Sequence, residues 1–248
     1  MNVTIKKPGE IESLRKGGKI LAEILEELTK IAGPGIATVE LDRLAEELIL
    51  KSGGQPSFKG YRGFPSALCV SINETVVHGL PSSRKLKEGD IAGLDLGMIY
   101  EGLYTDAART VGIGKIGHEA ARLIEITENA LKLAIREIRP GRRWGDIASM
   151  IQKYVERSGF GVVRDLVGHG VGYQIHEDPW LPNFGRAKEG VLLKVGMVLA
   201  LEPMVTEGDW HVEIDKDGWG FKTKDGKLAA HFEDTIVVTE KGCEVLTN

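Results

Sequence analysis

A chain of 248 residues is long enough for one large domain or two small ones, and 42% hydrophobic with 27% charged residues is the balance of a globular protein that folds in water. The formal net charge of −4 leaves no global basic footprint, so direct nucleic-acid recognition is not expected, and a local pair such as Lys6-Lys7 is too small to change that. Two cysteines, Cys69 and Cys243, allow one disulfide and exclude a disulfide framework. The opening MNVTIKKPGE lacks the apolar core of a signal peptide, and no run of about 18 apolar residues occurs, so the expectation is a reduced, cytoplasmic protein with no membrane span.

The first helix is predicted over GEIESLRKGGKILAEILEELTKIAG, where Ile20, Ile24, Leu28 and Ile31 recur at helical spacing with Leu21 and Leu25 alongside. Gly33-Pro34-Gly35 stops it. A second helix, TVELDRLAEELILKSGG, has Thr38 as its expected cap and Gly53-Gly54 as its end. IAGLDLGMIYEGLYTDAARTVGIG reads as a hairpin around Tyr100-Glu101-Gly102, with Asp95 and Asp106 equally far from its centre and so directly across the ladder. Two more helices follow, GHEAARLIEITENALKLAIREIRPG and RWGDIASMIQKYVERSGF.

These later helices repeat the earlier ones. Pro34-Gly35 maps onto Pro140-Gly141, and Ser52-Gly53 onto Ser158-Gly159, both at an offset of 106. LKEGDIAGLDLG aligns with LKVGMVLALEPM at an offset of 107, which sets Asp95 against Glu202 inside two apolar strands. The expected organisation is therefore a single domain over 1–248, built from two helix-helix-strand halves (about 9–113 and 116–240) related by a pseudo-two-fold axis. Hairpins imply a mostly antiparallel sheet with helices packed on it, an α+β class.

Four acids occupy apolar strands: Asp95, Asp106, Glu202 in GMVLALEPMV and Glu233 in LAAHFEDTIVV. Like charges facing one another across a ladder destabilise it, and burying them uncompensated forces protonation or costs several kcal/mol. A divalent cation removes the conflict; a solvated strand end, or pairing of Asp106 with Arg109, are the rival readings. LVGHGVGYQIHEDPW adds His169 and His176, two of only six histidines, in a stretch whose glycines predict a loop rather than a regular element. Four carboxylates plus one imidazole suit Mn, Fe, Co or Zn, and the lack of Cys ligands argues against a structural zinc site. Such a set is more than one ion needs, so two bridged divalent metal ions are the economical reading.

The order Asp95, Asp106, His169, Glu202, Glu233, with its repeat, resembles the pita-bread metallopeptidases of family M24. FPSALCVSINETVVHGLP, GHGVGYQIHEDP and LALEPMV look specifically like the type I methionine aminopeptidases, and the likeness runs from IKKPGEIESLRKGGKI to FEDTIVVTEKG. His169 to Glu202 spans 33 residues and Glu202 to Glu233 spans 31, too few for the insertion of the type II enzymes. The sequence opens close to its first predicted helix, so the large N-terminal domain of prolidases and aminopeptidases P and the zinc-binding extension of some type I relatives are not expected.

The resemblance implies the pita-bread fold and removal of the initiator methionine from nascent chains with a small second residue. It makes Asp95, Asp106, His169, Glu202 and Glu233 the metal ligands, with Glu202 also general base and then acid. It gives His176 the oxyanion, His78 the scissile amide, and Tyr61, Phe64, Cys69, Ile175 and Trp219 the methionine pocket. Ile175 stands where many relatives have an aromatic, and Arg62 where many have His; Asn73 falls where relatives bind a monovalent cation. The implied partners are nascent N-termini and Met-peptides, with transient ribosome contact, by a monomer. The competing expectations are a prolidase-like or aminopeptidase P-like Xaa-Pro peptidase, and a non-catalytic binding module of the same fold.

Overall fold

The structure, a computed structural model, describes residues 2–248. Four helices form where the apolar periodicity places them: α1 (Pro8–Ile31), α2 (Thr38–Lys51), α3 (His118–Glu137) and α4 (Trp144–Arg157). In α1, Leu14, Leu21, Leu25 and Leu28 are buried on one stripe, Pro8 starts the first turn, and the Glu10 carboxylate accepts the Lys7 N–H at 2.7 Å. Thr38 turns out to be the first residue of α2 and not its cap. Its hydroxyl is occupied by the backbone of Ser82, while the Glu40 carboxylate accepts the Ala37 N–H at 2.7 Å.

The two halves repeat in detail. Helices α2 and α4 both have 14 residues, and each is followed by Ser in the right-handed region and Gly at positive φ (Gly53 84°, Gly159 87°). The turn ahead of each is tied to the following strand in the same way. Gly35 N–H donates to Leu86 C=O and Gly141 N–H to Leu193 C=O, both at 2.8 Å, and single antiparallel bridges join Ala37 to Lys85 and Arg143 to Leu192.

The main sheet has nine strands, antiparallel at every pairing. Along its main path run Gln55–Pro56, Ile91–Tyr100, Leu103–Gly112, Glu233–Val238, Val198–Leu201, Gly168–Gly170 and Glu177–Leu181. Leu68–Ile72 pairs with Ile91–Tyr100, and Cys243–Val245 with Glu233–Val238. Two three-stranded sheets lie beside it: Ala229–His231, Met204–Thr206 and Gly161–Val162 in one, and Val212–Ile214, Phe221–Thr223 and Thr75–Val77 in the other.

Helices pack on one face of the main sheet. Leu21, Leu25 and Ile49 of α1 and α2 share a core with Leu94, Leu96 and Met98, and Leu123, Leu131, Ile147 and Ile151 of α3 and α4 share another with Leu199, Leu201 and Ile236. Alternation along the strands then sends Asp95 and Glu202 to the opposite face. Each fully buried Leu or Ile contributes about 1.5–3 kcal/mol, so these cores fix strand register firmly.

Two expectations change. Tyr100 pairs with Leu103, so the hairpin turns on Glu101-Gly102, whose φ of 50° and 80° make a two-residue type I′ loop. That shift pairs Asp95 with Ala108 and Gly97 with Asp106, so the acids are diagonal neighbours on one face rather than direct partners. The glycine-rich stretch also contains a regular element: Gly168–Gly170 is a strand hydrogen-bonded on both sides. A Cβ at Gly168 would sit 2.6 Å from Ala200 O, and one at Gly170 2.3 Å from Asp178 O, so here glycine allows neighbouring strands to close up. Both cysteines are free.

Candidate metal centre

One row of side chains crosses the main sheet. Cys69 pairs with Asp95, Asp95 with Ala108, and Ala108 with Glu233. The small Ala108 leaves room between the two acids. Leu201 pairs with Asp234, which brings Glu202, one residue on, abreast of Glu233. His169 pairs with Ala200 and joins the same face two positions away. Asp106 is fixed through its backbone: Thr235 Oγ1 accepts its N–H at 2.9 Å and donates to its C=O at 2.8 Å. The strand bearing Glu233 is secured from the far side by Thr247, whose hydroxyl accepts the Thr235 N–H at 3.1 Å and donates to Asp234 at 2.9 Å.

Asp95, Asp106, His169, Glu202 and Glu233 all line one cavity of about 430 Å³. Its electrostatics are unresolved by the protein alone. Among the described residues, Asp95 Oδ1, Asp106 Oδ1 and Glu233 Oε1 are buried without a hydrogen-bond partner. Burial pushes the Asp95 carboxyl up to about 7, and burial reinforced by the neighbouring acids drives Asp106, Glu202 and Glu233 well above the carboxylate range. Arg109 offers no relief, and its expected rivalry for Asp106 is not realised. Its guanidinium lies on the other face, 2.6 Å from Asp234 and 2.6 Å from the Glu233 carbonyl oxygen.

The histidines supply lone pairs. His169 Nδ1 lies 2.9 Å from Gly170 O and donates there, which leaves Nε2 bare and facing Glu202 Oε1 at 3.4 Å. Burial brings its pKa down to about 4, so the ring is neutral at pH 7. Asp106, His169 and Glu233 each offer an atom within 4.8 Å of the others, as do Glu202, His231 and Glu233. Orphaned carboxylate oxygens and bare imidazole nitrogens around one cavity fit divalent cations.

The remaining expected site residues fall as follows. His176 packs edge-on against His169, ring centroids 4.4 Å apart at 62°, and its Nδ1 lies 3.1 Å from Tyr61 Oη. Burial and the neighbouring imidazoles lower its pKa to about 3. His78 lines the cavity from a strained backbone position (φ 59°) with its ring against Phe221, and burial lowers its pKa. Tyr61, Arg62, Phe64, Cys69 and Trp219 also line the cavity, with Phe64 and Trp219 edge to face at 5.2 Å and 82°. Ile175 is buried but does not line it. Asn73 sits at the turn after Leu68–Ile72, its side chain donating to Asp90 and accepting the Ile91 N–H.

The loop presenting His176 is strapped down by the N-terminal segment. Lys6 Nζ, with 1% of its side chain exposed, reaches Glu177 Oε2 at 2.7 Å, and Glu177 Oε1 accepts the N–H groups of Tyr173 and Gln174.

Sequence reasoning passed over His231, which is buried with its Nε2 directed at Glu202 and Glu233. The signal was present: His231 precedes Glu233 by two residues, the strand period, in a stretch already singled out. The rim residues Leu166, Trp180 and Ile214 were also given no role: the first two are the ends of LVGHGVGYQIHEDPW, Ile214 comes from a distant strand, and no period links them.

The profile of metallopeptidase family M24 matches residues 12–240. The methionine aminopeptidase of Clostridium perfringens is 51% identical over 245 residues, covering 99% of this chain and 98% of that one. The crystal structure of the methionine aminopeptidase from Thermotoga maritima superposes with a TM-score of 0.97 at 48% identity, covering 99% of both chains. A prolidase from Pyrococcus furiosus shares the fold at a TM-score of 0.78 and 25% identity, over 98% of this chain but 65% of its own. With the pita-bread fold, the matched profile and full-length relatives in agreement, the chain belongs to metallopeptidase family M24.

Proposed function

We propose that the chain is a type I methionine aminopeptidase, acting as one domain over 1–248 whose two halves (about 9–113 and 116–240) close around the acid cluster. The observation that carries this reading is the set of buried, partnerless carboxylates at the base of an aromatic and sulfur-lined cavity, in a chain matched end to end by methionine aminopeptidases. Asp95, Asp106, His169, Glu202 and Glu233 would hold two divalent cations, which when bound lower the pKa of a water and polarise the peptide carbonyl. Cobalt, manganese, iron and zinc all suit this donor set.

Glu202 lies at the edge of the cluster, facing His169, and can accept the water's proton and return it to the leaving amine. Tyr61 Oη donating to His176 Nδ1 leaves the proton on Nε2, so a neutral His176 can donate to the oxyanion. His78, which lines the cavity at an unusual backbone angle, would contact the scissile amide. Tyr61, Phe64, Cys69 and Trp219 form a slot suited to a thioether. A monovalent cation near Asn73 would have to use backbone carbonyls, since both polar atoms of that side chain are committed to Asp90 and Ile91. Nascent N-termini and Met-peptides are the substrates in this reading, met in the cytoplasm by a monomer with transient ribosome contact. Among the described residues, no helix is long and apolar enough to cross a membrane.

Chelator-stripped protein supplied with Mn, Fe, Co or Zn tests the proposal against Met-Gly, Met-Ala, Met-Lys and Met-Pro peptides beside an Xaa-Pro panel lacking methionine. Metal-restored release of methionine from Met-Gly and Met-Ala, but not Met-Lys, is the expected result. Cleavage confined to the Xaa-Pro panel would transfer the chain to the prolidase-like reading, and no cleavage by folded, metal-loaded protein would reopen the binding module.

A further inference from the structure

Lys6, half of the small basic pair in the sequence, is buried, and its ammonium reaches the Glu177 carboxylate at 2.7 Å. A buried ion pair adds little net stability over apolar residues of the same volume, so strength of fold is a poor account of it. Its place in the chain is more telling. Glu177 directly follows His176.

The residues from Gly172 to His176 pair with no neighbouring strand. The Glu177 carboxylate supplies what the sheet does not. Its Oε1 accepts the Tyr173 and Gln174 N–H groups, closing a turn that contains His176. Its Oε2 accepts from the Lys6 ammonium and from the Thr4 hydroxyl, the latter at 2.6 Å. Lys6 is anchored in turn: its backbone N–H donates to Gly196 O at 2.8 Å, and the Gly196 N–H to Val238 O at 2.9 Å. Its stem lies against Gly172, where a Cβ would stand 2.3 Å from Lys6 Cε. Two flanking bonds join the same segments, from Asn2 N–H to Asp178 at 2.6 Å and from the Tyr173 hydroxyl to Glu10 at 2.7 Å. Direct contacts thus run from the main sheet through Lys6 and Glu177 to the backbone that carries His176.

We propose that Lys6 and Thr4 are positioning residues for the reaction: through Glu177 they hold the His176 imidazole where it donates to the oxyanion. The proposal rests on the role of His176 in the function proposed above. An oxyanion exists only once the carbonyl has been attacked, so this contact belongs to the transition state and not to the bound substrate. Loosening the strap therefore lowers kcat and leaves KM nearly unchanged.

The test is cleavage of a Met-Ala peptide by metal-loaded enzyme in a double-mutant cycle of Lys6→Met with His176→Ala. Lys6→Met alone is expected to lower kcat about ten- to hundredfold, with KM within about threefold of wild type. In the His176→Ala background, itself about 10²–10³-fold slower, the same substitution should change kcat by less than about twofold. A strap that served only the fold would cost the same factor in both backgrounds, and that result overturns the proposal, as does an unchanged kcat in Lys6→Met. Nitrogen-15 NMR of the imidazoles in metal-free protein is a second readout, the His176 signal being identified by its loss in His176→Ala. It should move in Lys6→Met, and a signal identical to wild type overturns the proposal. Should Lys6→Met fail to fold, Thr4→Val, which keeps the ion pair and removes one hydrogen bond, decides through the same cycle and the same signal. Wild-type protein that binds metal yet releases no methionine overturns the proposed function and this role together. An active wild type that neither substitution slows overturns this role alone.

Discussion

Removing divalent cations converts the acid cluster into a pH-dependent liability. The sign follows from the direction of the pKa shifts. Asp95 is raised to about 7, and Asp106, Glu202 and Glu233 well above their usual values, so the folded protein keeps protons that the unfolded chain has lost. Stability therefore falls as pH rises, by about 1.4 kcal/mol per pH unit for each proton retained. His169, His176 and His231 act in the opposite sense. Their folded pKa values of about 4, 3 and 3 lie below the ordinary value, so their contribution is lost on acidification and is already complete above about pH 7. Cys69 and Cys243 are raised as well and add to the loss above about pH 8, where unfolded thiols ionise. The clean window is thus pH 7 to 8. One retained proton across it costs about 1.4 kcal/mol, which lowers Tm by roughly 3–6 °C in a chain of this size. Differential scanning calorimetry in excess chelator at the two pH values, repeated with cobalt or manganese, measures the effect. A chelated protein with the same Tm at pH 7 and pH 8 would refute the argument, as would a fall of equal size with the cation present.

Three further outcomes are expected. Glu202→Gln removes the proton carrier and, with it, one group whose ionisation the neighbouring acids oppose. Its kcat on Met-Ala should drop about 10²–10⁴-fold while the chelated protein's Tm holds or rises. Lys6→Met leaves Glu177 without its counter-ion, held only by the Thr4 hydroxyl and the Tyr173 and Gln174 N–H groups, so denaturant titration should show a loss of about 1–3 kcal/mol. Adding Glu177→Gln should return part of that loss, and a single variant as stable as wild type would mean the strap bears no strain. Gly170→Ala would put a Cβ 2.3 Å from Asp178 O and push apart the strands that place His169. It should cost about 1–3 kcal/mol or more and weaken cation binding in calorimetric titration, whereas unchanged affinity would disconnect that strand spacing from the site.

Much of this molecule can be read from its residues because the two halves rest on helices whose stop signals repeat. Ser52-Gly53 and Ser158-Gly159 end α2 and α4 identically, and the matching Leu-Lys-Xaa-Gly entries to the following strands place Asp95 and Glu202 at equivalent positions. What escaped depended on backbone geometry or on long-range partners. A type I′ loop on Glu101-Gly102 moves the centre of the hairpin by one residue from the expected one between Tyr100 and Glu101, and only the formed ladder reveals it. Gly168–Gly170 is a strand because Ala200 and Asp178 crowd it from both sides, a tertiary effect that overrides glycine's local preference. Arg109 stands three residues from Asp106, yet strand alternation turns it to the opposite face and onto Asp234. His231 was legible by the period of two, but its neighbour Glu233 drew the whole inference.

The clasp between Thr247 and the strand of Glu233 also bears on the order in which the molecule comes into being. Asp95 and Asp106 emerge early on their own hairpin, but Glu202 and Glu233 arrive more than 90 residues after Asp106, and Thr247 later still. Connectivity therefore separates the hairpin pair from the two glutamates until late in synthesis. In the finished molecule the strand that carries Glu233 is clasped by the Cys243–Val245 strand and by Thr247, the last segments to be made. The complete set of four acids is thus available only once nearly the whole chain has been made, so a cation that needs all of them has its site only at the end of synthesis.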